Sequence, residues 1–346
     1  MIRTFAAADV ARYLALAREL GTQRALYDFH VHLTDVFDQH VPNLDSLVVF
    51  RCGSRESQPG FFRELTLAKQ PGISAELRNA TSRMIFEQVY RREPVTDLLR
   101  QMEVTGISSV LALPVAHPQG DVAEQISYLD RIRSHHSGVM LGYAVAASDG
   151  LDAEGLYTRI NSIRSLYDIK ALKLHTNISE IDLTTPEGRR RATSIVQVCG
   201  ATGLPLIVHG GASPILSPRP CCDFGRLEHL ALLDWKTAGP VIIAHAGVYG
   251  CSAAEIDDAL PLLKDLLVAN DNLYVDTSGL TSEVLEMVLR RVGVDRLVFG
   301  SDALYHPLWR AIVCVLHAIG RVGLAEADTL RKIAGETPER LLKLSS

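Results

Sequence analysis

The sequence predicts an α/β protein built as a (β/α)8 barrel, with an N-terminal helix and a long insertion after the first strand. Three observations carry this. Eight short apolar runs recur along the chain. The stretches between them have the spacing of amphipathic helices. Polar side chains able to do chemistry stand at the C-terminal ends of the runs. Continuous apolar strands separated by helices imply a parallel sheet covered on both faces, and eight such units close a barrel.

The elements follow in order. "MIRTFAAADVARYLALAREL" reads as an amphipathic helix and lacks the unbroken apolar stretch of a signal peptide or membrane span. The first run, "ALYDFHVHL" (25–33), holds two histidines two places apart. Strict strand alternation would put Asp28, His30 and His32 on one face and Tyr27, Phe29, Val31 and Leu33 on the other. Residues 34–92 then exceed a normal loop and carry Phe37, Phe50, Phe61, Phe62, Arg51, Arg55 and Arg63. An excursion of that length from the end of a barrel strand reads as a lid or a dimer contact. The remaining runs are "GISSVLALPV" (106–115), "GVMLGYAVAA" (138–147), "IKALKLHT" (169–176), "LPLIVHGG" (204–211), "PVIIAHAG" (240–247), "NLYVDTSG" (272–279) and "RLVFGSDA" (296–303). Between them, "EPVTDLLRQMEVTG", "DAEGLYTRINSIRSL", "TPEGRRRATSIVQVCGATG", "SAAEIDDALPLLKDLLVAN" and "TSEVLEMVLRRVG" show helix start and stop signals. The Pro- and Gly-rich "GGASPILSPRPCCDF" reads as a shaped loop near the barrel mouth.

Composition narrows the function classes. The chain has 346 residues, 47% of them hydrophobic, ample for one core, and we expect a single domain over 1–346. A net charge of −5 without a long basic run argues against nucleic acid or an anionic membrane as partner, leaving a small-molecule substrate and, through the insertion, a homodimer. The six cysteines are scattered without a CxxC, so we expect reduced thiols in a cytoplasmic protein. Cys221 and Cys222 adjoin no base motif and are assigned no nucleophilic role.

His30 and His32 end the first strand. Lys173 and His175 end the fourth, His209 the fifth, His245 the sixth and Asp302 the eighth. In a barrel those ends meet at one mouth, where active sites form. Burying such groups unpaired costs roughly 2–7 kcal/mol each, and more for a charge. A divalent cation removes that cost. The nitrogen and oxygen donors suit Zn(II), with Mn(II), Fe(II) or Co(II) as alternatives. Singly, each residue has a plainer reading: a hydrogen-bonded core histidine, Lys173 paired with a carboxylate such as Asp28, Asp302 as a helix N-cap. The conjunction is what points to a metal. Arg51, Arg219, His117 and His306 are further candidates for substrate contact, the arginines because guanidinium grips a carboxylate bidentately. His40, His135, His136, His229 and His317 lie away from strand ends and are assigned no chemistry.

The set "DFHVH", "KALKLHT", "PLIVHGG", "VIIAHAG", "YVDTSG" and "VFGSDALYHP", with the tail "IAGETPERLLKL", resembles the amidohydrolase superfamily. It is most similar to the amidohydrolase-related branch of metal-dependent hydrolases and decarboxylases. The resemblance implies that His30, His32 and Asp302 hold a metal, that His209 supplies a further ligand, and that His245 stands beside an activated water. It also implies that Lys173, carboxylated, could bridge a second metal held by His209 and His245; we expect one ion rather than two.

The expected function is hydrolysis of an amide, lactone or ester carbonyl, with Asp302 as general base and later acid, and His245 and His175 steadying the oxyanion. A decarboxylase acting on an aromatic or muconate-like acid uses the same parts. A barrel that binds without turnover is the third reading, and the intact Asp302 argues against it.

Overall fold

Eight short strands, rich in β-branched residues, line up side by side in the computed structural model, which describes residues 4–33, 62–63, 94–117, 122–145, 152–216, 219–303 and 305–344. They are β1 (Tyr27–Val31), β2 (Ser109–Ala112), β3 (Val139–Ala144), β4 (Ile169–Leu174), β5 (Leu206–Val208), β6 (Val241–Ile243), β7 (Leu273–Asp276) and β8 (Leu297–Val298). All neighbours are parallel, and the spatial order is the chain order. The ends of the sheet meet. Phe29 N–H donates to Phe299 O at 3.0 Å, Asp302 N–H to His30 O at 2.8 Å, and Val31 bridges Ala303 in parallel. The result is the nearly closed (β/α)8 barrel that the rhythm of apolar runs predicts.

The long helices are α1 (Ala7–Gln23), α2 (Pro94–Thr105), α3 (Val122–His135), α4 (Ala153–Tyr167), α5 (Pro186–Thr202), α6 (Ala253–Ala269), α7 (Ser282–Val292) and α8 (Leu308–Arg321). Their ends obey local chemistry. Asp152 caps α4 by accepting from Gly155 N–H at 2.9 Å, and Thr185 caps α5 by accepting from Gly188 N–H at 3.0 Å. After β5 no long helix forms among the described residues. Short 3-10 turns at Pro214–Leu216 and Pro220–Asp223 and the four-residue helix Leu227–Leu230 take its place. That backbone follows its prolines at 214 and 220, each opening a 3-10 turn.

Two apolar layers hold the barrel. The outer one packs helix faces on the sheet: Val110, Leu141, Leu172, Val208 and Val275 meet Leu98, Ile126, Ile160, Ile195, Leu263 and Ile312. The inner one fills the lumen with Phe29, Leu111, Leu113, Ala171, Ile207, Ile242, Tyr274 and Val298. Leu341 and Leu342 of the tail join this layer beside Tyr27 and Met140, so the "ERLLKL" segment plugs the end opposite the mouth. The barrel is packed, not a pore.

One expectation is corrected here. Strict alternation would place Phe29 with Val31 and Leu33. Phe29 belongs instead to the lumen, whereas Val31 and Leu33 pack in the outer layer. The register of β1 against β2 shifts between Asp28 and Val31. Such a bulge re-aims side chains at a barrel rim, and here it lets Phe29 and His30, adjacent in sequence, both serve the inside.

The 34–92 insertion lies outside the described residues except for Phe62–Arg63, whose backbone pairs antiparallel with Thr4–Phe5. Its lid or dimer role, and Arg51 and Arg55 with it, fall outside them too. Among the described residues no helix is long and apolar enough to cross a membrane.

Candidate metal centre

The strand ends do meet. His30 Nε2 and His32 Nε2 stand 3.1 Å apart, and Asp302 Oδ1 lies 3.7 Å from the first and 3.4 Å from the second. One donor atom from each of these three buried residues falls within 4.8 Å of the others. Lys173, at the end of β4, donates from Nζ to His30 Nε2 at 3.1 Å. The His245 ring is 5.1 Å from that of His30 and 5.0 Å from that of His209, and His209 stacks on His175 at 3.9 Å. His209 stands outside the tight triplet, next to His245.

The hydrogen bonds settle which nitrogens carry protons. His32 Nδ1 faces Leu113 O at 2.7 Å, and a carbonyl only accepts, so Nδ1 holds the proton. His245 Nδ1 likewise donates to Ser278 O at 2.9 Å, and His30 Nδ1 donates to Asp276 Oδ2 at 2.8 Å. Their Nε2 atoms are therefore bare lone pairs. His175 is the reverse: its Nδ1 accepts from Ile178 N–H at 3.3 Å, so its Nε2 bears the proton. Burial holds His30, His32, His175 and His209 well below the usual imidazole range, and pushes His245 down to about 3. Burial raises Asp302, against the pull of Lys173, and lowers Lys173 to about 8.

This is the test of a cation. Two neutral imidazoles point lone pairs at one another across 3.1 Å, with a carboxylate oxygen beside them. Electron-rich atoms converge so closely only where something positive is shared. The residues present fit a divalent ion held by His30, His32 and Asp302, in a nitrogen and oxygen set that zinc favours. Lys173 supplies part of that charge as the protein stands.

Sequence reasoning assigned no role to the residue that organises the site. Asp276 ends β7 fully buried. Its Oδ2 accepts from His30, and its Oδ1 accepts from His245 N–H at 2.7 Å, Ser278 N–H at 3.0 Å and the Ser278 hydroxyl. It thus fixes one imidazole's tautomer and the backbone of another. The signal was an aspartate inside the apolar run "NLYVD". Asp28 was placed on the histidine face and read only as a partner for Lys173. It accepts from His30 N–H at 3.1 Å, from Ser301 N–H at 3.0 Å and from the Ser301 hydroxyl, tying β1 to the end of β8, and burial pushes it up to about 7. Lys173 pairs with His30 rather than with Asp28. Asp302 caps no helix, since α8 begins at Leu308.

Backbone strain marks the same place. His245, Ala246 and Asp302 have φ of 56°, 48° and 63°, the left-handed region that non-glycine residues seldom enter. Such strain costs on the order of 1–3 kcal/mol per residue and collects at functional sites.

The remaining candidates lie around this cluster. Tyr305 tilts over His32 at 5.6 Å and joins Val115, Ile178 and Leu216 in an apolar patch built from four different strand–helix connections. Arg219 is half-exposed and ion-paired with Glu180, and both charges act on His117. These three form the rim, not the centre. His306 follows Asp302 by one turn, its N–H donating to Asp302 O at 3.1 Å. Among the described residues Cys199, Cys221, Cys222, Cys251 and Cys314 are buried, and Cys222 Sγ donates to Asp223 Oδ2 at 3.2 Å.

Comparison with known proteins shows the fold and the family. Many solved structures share the fold. A 5-carboxyvanillate decarboxylase from Sphingomonas paucimobilis matches with a TM-score of 0.55 at 12% identity, over 92% of this chain and 99% of that one. A probable 2-pyrone-4,6-dicarboxylic acid hydrolase from Acinetobacter baumannii, with citric acid bound, matches with a TM-score of 0.51 at 12% identity over 92% and 99%. An amidohydrolase from Burkholderia multivorans with bound zinc matches with a TM-score of 0.57 at 15% identity over 92% and 99%. No curated protein sequence matches. The family model described as amidohydrolase, however, aligns with residues 27–344, from the first residue of β1 to the tail that plugs the barrel, and the chain belongs to that family.

Proposed function

We propose that this protein is a metal-dependent hydrolase that opens an amide, lactone or ester carbonyl of a small molecule. The observation that supports it is the convergence of two bare imidazole nitrogens and the Asp302 carboxylate at the barrel mouth. A bound divalent cation, Zn(II) before Mn(II), Fe(II) or Co(II), supplies Lewis acidity for water and carbonyl alike. Asp302 does the proton work. Its Oδ1 faces the two imidazoles and its Oδ2 faces Gly279, so one oxygen is placed to ligate while the other takes a proton from water and returns it to the leaving group. His175, protonated at Nε2, is the neutral donor for an oxyanion, and His245 offers a lone pair that accepts from water.

A second reading is decarboxylation. The Nε2–H of His175 favours it, because loss of CO2 leaves an electron pair on carbon that must take up a proton. The apolar patch at Tyr305 suits an unsaturated acid, and the fold is shared with a 5-carboxyvanillate decarboxylase.

The test begins with elemental analysis, where a metal-to-chain ratio near one supports a single ion and a ratio near two supports a Lys173 bridge. Zinc-, manganese- and cobalt-loaded protein is then offered lactones, esters and amides, with CO2 release from aromatic and muconate-like acids measured in parallel. Metal-dependent ring or amide opening is expected; CO2 release alone establishes the second reading. Asp302→Asn should lose activity by about a thousandfold or more while keeping the barrel's circular dichroism. Normal turnover by that variant removes Asp302 as the base.

A further inference from the structure

Tyr249 stands beside the centre and carries no role in the mechanism proposed above. The chain reaches it through a tight detour. His245 and Ala246 take left-handed φ of 56° and 48°, and Val248 N–H closes the turn on His245 O at 3.0 Å. That reversal brings Tyr249 back over the histidines. Its ring tilts across that of His245 at 4.6 Å and meets that of His209 edge-on at 5.9 Å. The two glycines after β5 then fix its main chain. Tyr249 O accepts from Ala212 N–H at 2.7 Å, and Tyr249 N–H donates to Gly210 O at 3.4 Å. A Cβ at Gly211, where φ is +109°, would stand 2.4 Å from Tyr249 N, so only glycine lets the two backbones lie this close. A Cβ built on Gly279 would lie 3.1 Å from Tyr249 Cε2 and 3.4 Å from Asp302 Oδ2, so the hydroxyl-bearing end of the ring and the Asp302 carboxylate flank the same glycine.

Packing accounts for the ring and not for the hydroxyl, since phenylalanine would fill the same space. Buried tyrosine hydroxyls usually find a hydrogen-bond partner. That of Tyr249 has none among the described residues, yet it is not sealed in: the residue is half-buried, and its oxygen is not one of the unpartnered polar atoms shut away from solvent. Burial and the charge of Asp302 push its pKa up, so the phenol keeps its proton and offers no phenolate to a metal. A rigid neutral donor open to the mouth fits an acceptor carried by a ligand. A hydrogen bond to an ionised oxygen is about twice as strong as one between neutral groups, so such a donor favours an oxyanion over the carbonyl it came from. We propose that Tyr249 is a catalytic residue, and that its hydroxyl donates to the substrate oxygen that gains negative charge as the carbonyl is attacked. His175, which stacks on His209 at 3.9 Å, is one neutral donor of the mouth, and Tyr249 is the second. Donors fixed in advance by the fold need no reorganisation when the charge forms. The inference rests on the cation-holding centre and the carbonyl chemistry proposed above.

Binding of an oxyanion tests it. Zinc-loaded wild type and Tyr249→Phe are titrated calorimetrically with methylphosphonate, a tetrahedral anion, and with imidazole, a neutral zinc ligand without a charged oxygen. Tyr249→Phe should bind methylphosphonate about tenfold or more weakly, the worth of a hydrogen bond to a charged group. Its zinc content and its affinity for imidazole should stay within about twofold of wild type. Equal methylphosphonate affinities overturn the proposal, as does a wild type that binds none. Parallel losses for both ligands also overturn it, because they show Tyr249 holding the shape of the centre and not the anion. A second measurement uses wild type itself: methylphosphonate should shift a tyrosine absorption band, and Tyr305→Phe should keep that shift. Absence of the shift overturns the proposal even where Tyr249→Phe fails to load zinc. On any ester or lactone that wild type opens, Tyr249→Phe should lose about a hundredfold or more in kcat with KM nearly unchanged, and an unchanged kcat overturns the proposal. The calorimetry needs no turnover, so failure of carbonyl opening and failure of the Tyr249 hydrogen bond are separate results.

Discussion

Asp276 touches no reacting atom, yet it holds the centre in shape. One carboxylate oxygen fixes the proton on His30 Nδ1; the other holds the His245 backbone in its left-handed turn. Partners of metal-ligating histidines typically carry 10–100-fold of metal affinity. Asp276→Asn replaces an acceptor by an amide that can present N–H to His30 Nδ1, favouring the wrong tautomer. We expect zinc affinity to fall about 10–100-fold, read by competition with a chelating dye. Unchanged affinity would mean that the tautomer is set elsewhere. The residue scale also shows what a sequence can reveal. His30, His32, His209, His245 and Asp302 stood out because each is polar within an apolar run. Asp276 broke a run in the same way, but its role depends on atoms 246 residues away in the chain, which spacing does not reveal. Asp28 and Ser301, 273 residues apart, were hidden for the same reason.

Elements were legible where local chemistry decides them. The starts of α5, α6 and α7 are written as Thr185, Ser252 and Thr281, each accepting from a backbone N–H in the first turn. At α6 the arrangement is reciprocal: Glu255 accepts from Ser252 N–H at 2.7 Å and Ser252 Oγ from Glu255 N–H at 3.4 Å. Arg226 binds the same Glu255 at 2.9 Å, tying the loop after β5 to the helix after β6. Ser252→Ala should cost about 1 kcal/mol in chemical denaturation, the usual worth of an N-cap. Helix α1 makes a tighter demand. A Cβ at Gly21 would stand 2.2 Å from the backbone oxygen of Gly106, so the helix lies against the main chain entering β2. Gly21→Ala, favourable for helix propensity, should instead destabilise by roughly 1–3 kcal/mol through overpacking. A stabilised variant would show that α1 can shift. The bulge in β1 was not legible. Alternation is a rule of regular strands, and the register shift between Asp28 and Val31 comes from closing the barrel against Phe299 and Ala303. The loop after β5 was readable as shaped from its prolines, though not that the long helix of this unit would be replaced by short turns.

At the scale of the whole molecule, the cluster that makes the centre also sets how stability depends on pH. His30, His32, His175, His209 and His245 are all held neutral by burial, below the ordinary imidazole pKa. Their contribution is present above about pH 6.5 and is lost as pH falls toward their folded values, because the unfolded chain takes up protons that the native one refuses. Asp28, pushed up to about 7, and Asp302, also raised, act in the opposite sense: their contribution is full below the ordinary carboxylate range and is lost as pH rises through their folded values. His306, lowered by burial to about 4, acts with the other imidazoles. Lys173, lowered to about 8, has its change above this window. The imidazoles outnumber the two carboxylates, so the net stability falls as pH drops below about 6.5. Metal-free protein should therefore melt earlier as pH drops from about 6.5 to 5. A cation competes with protons for the bare Nε2 atoms of His30 and His32, so it adds about 3–4 kcal/mol at 100–1,000 times its dissociation constant. It should also shift the acid transition to lower pH. Thermal melts from pH 8 to 4.5, with chelator and with one equivalent of zinc, measure both effects. Melting temperatures that stay flat below pH 6.5 in chelator would mean that the imidazoles are already protonated in the native state, and lone pairs filled by protons would leave nothing there for a metal to bind.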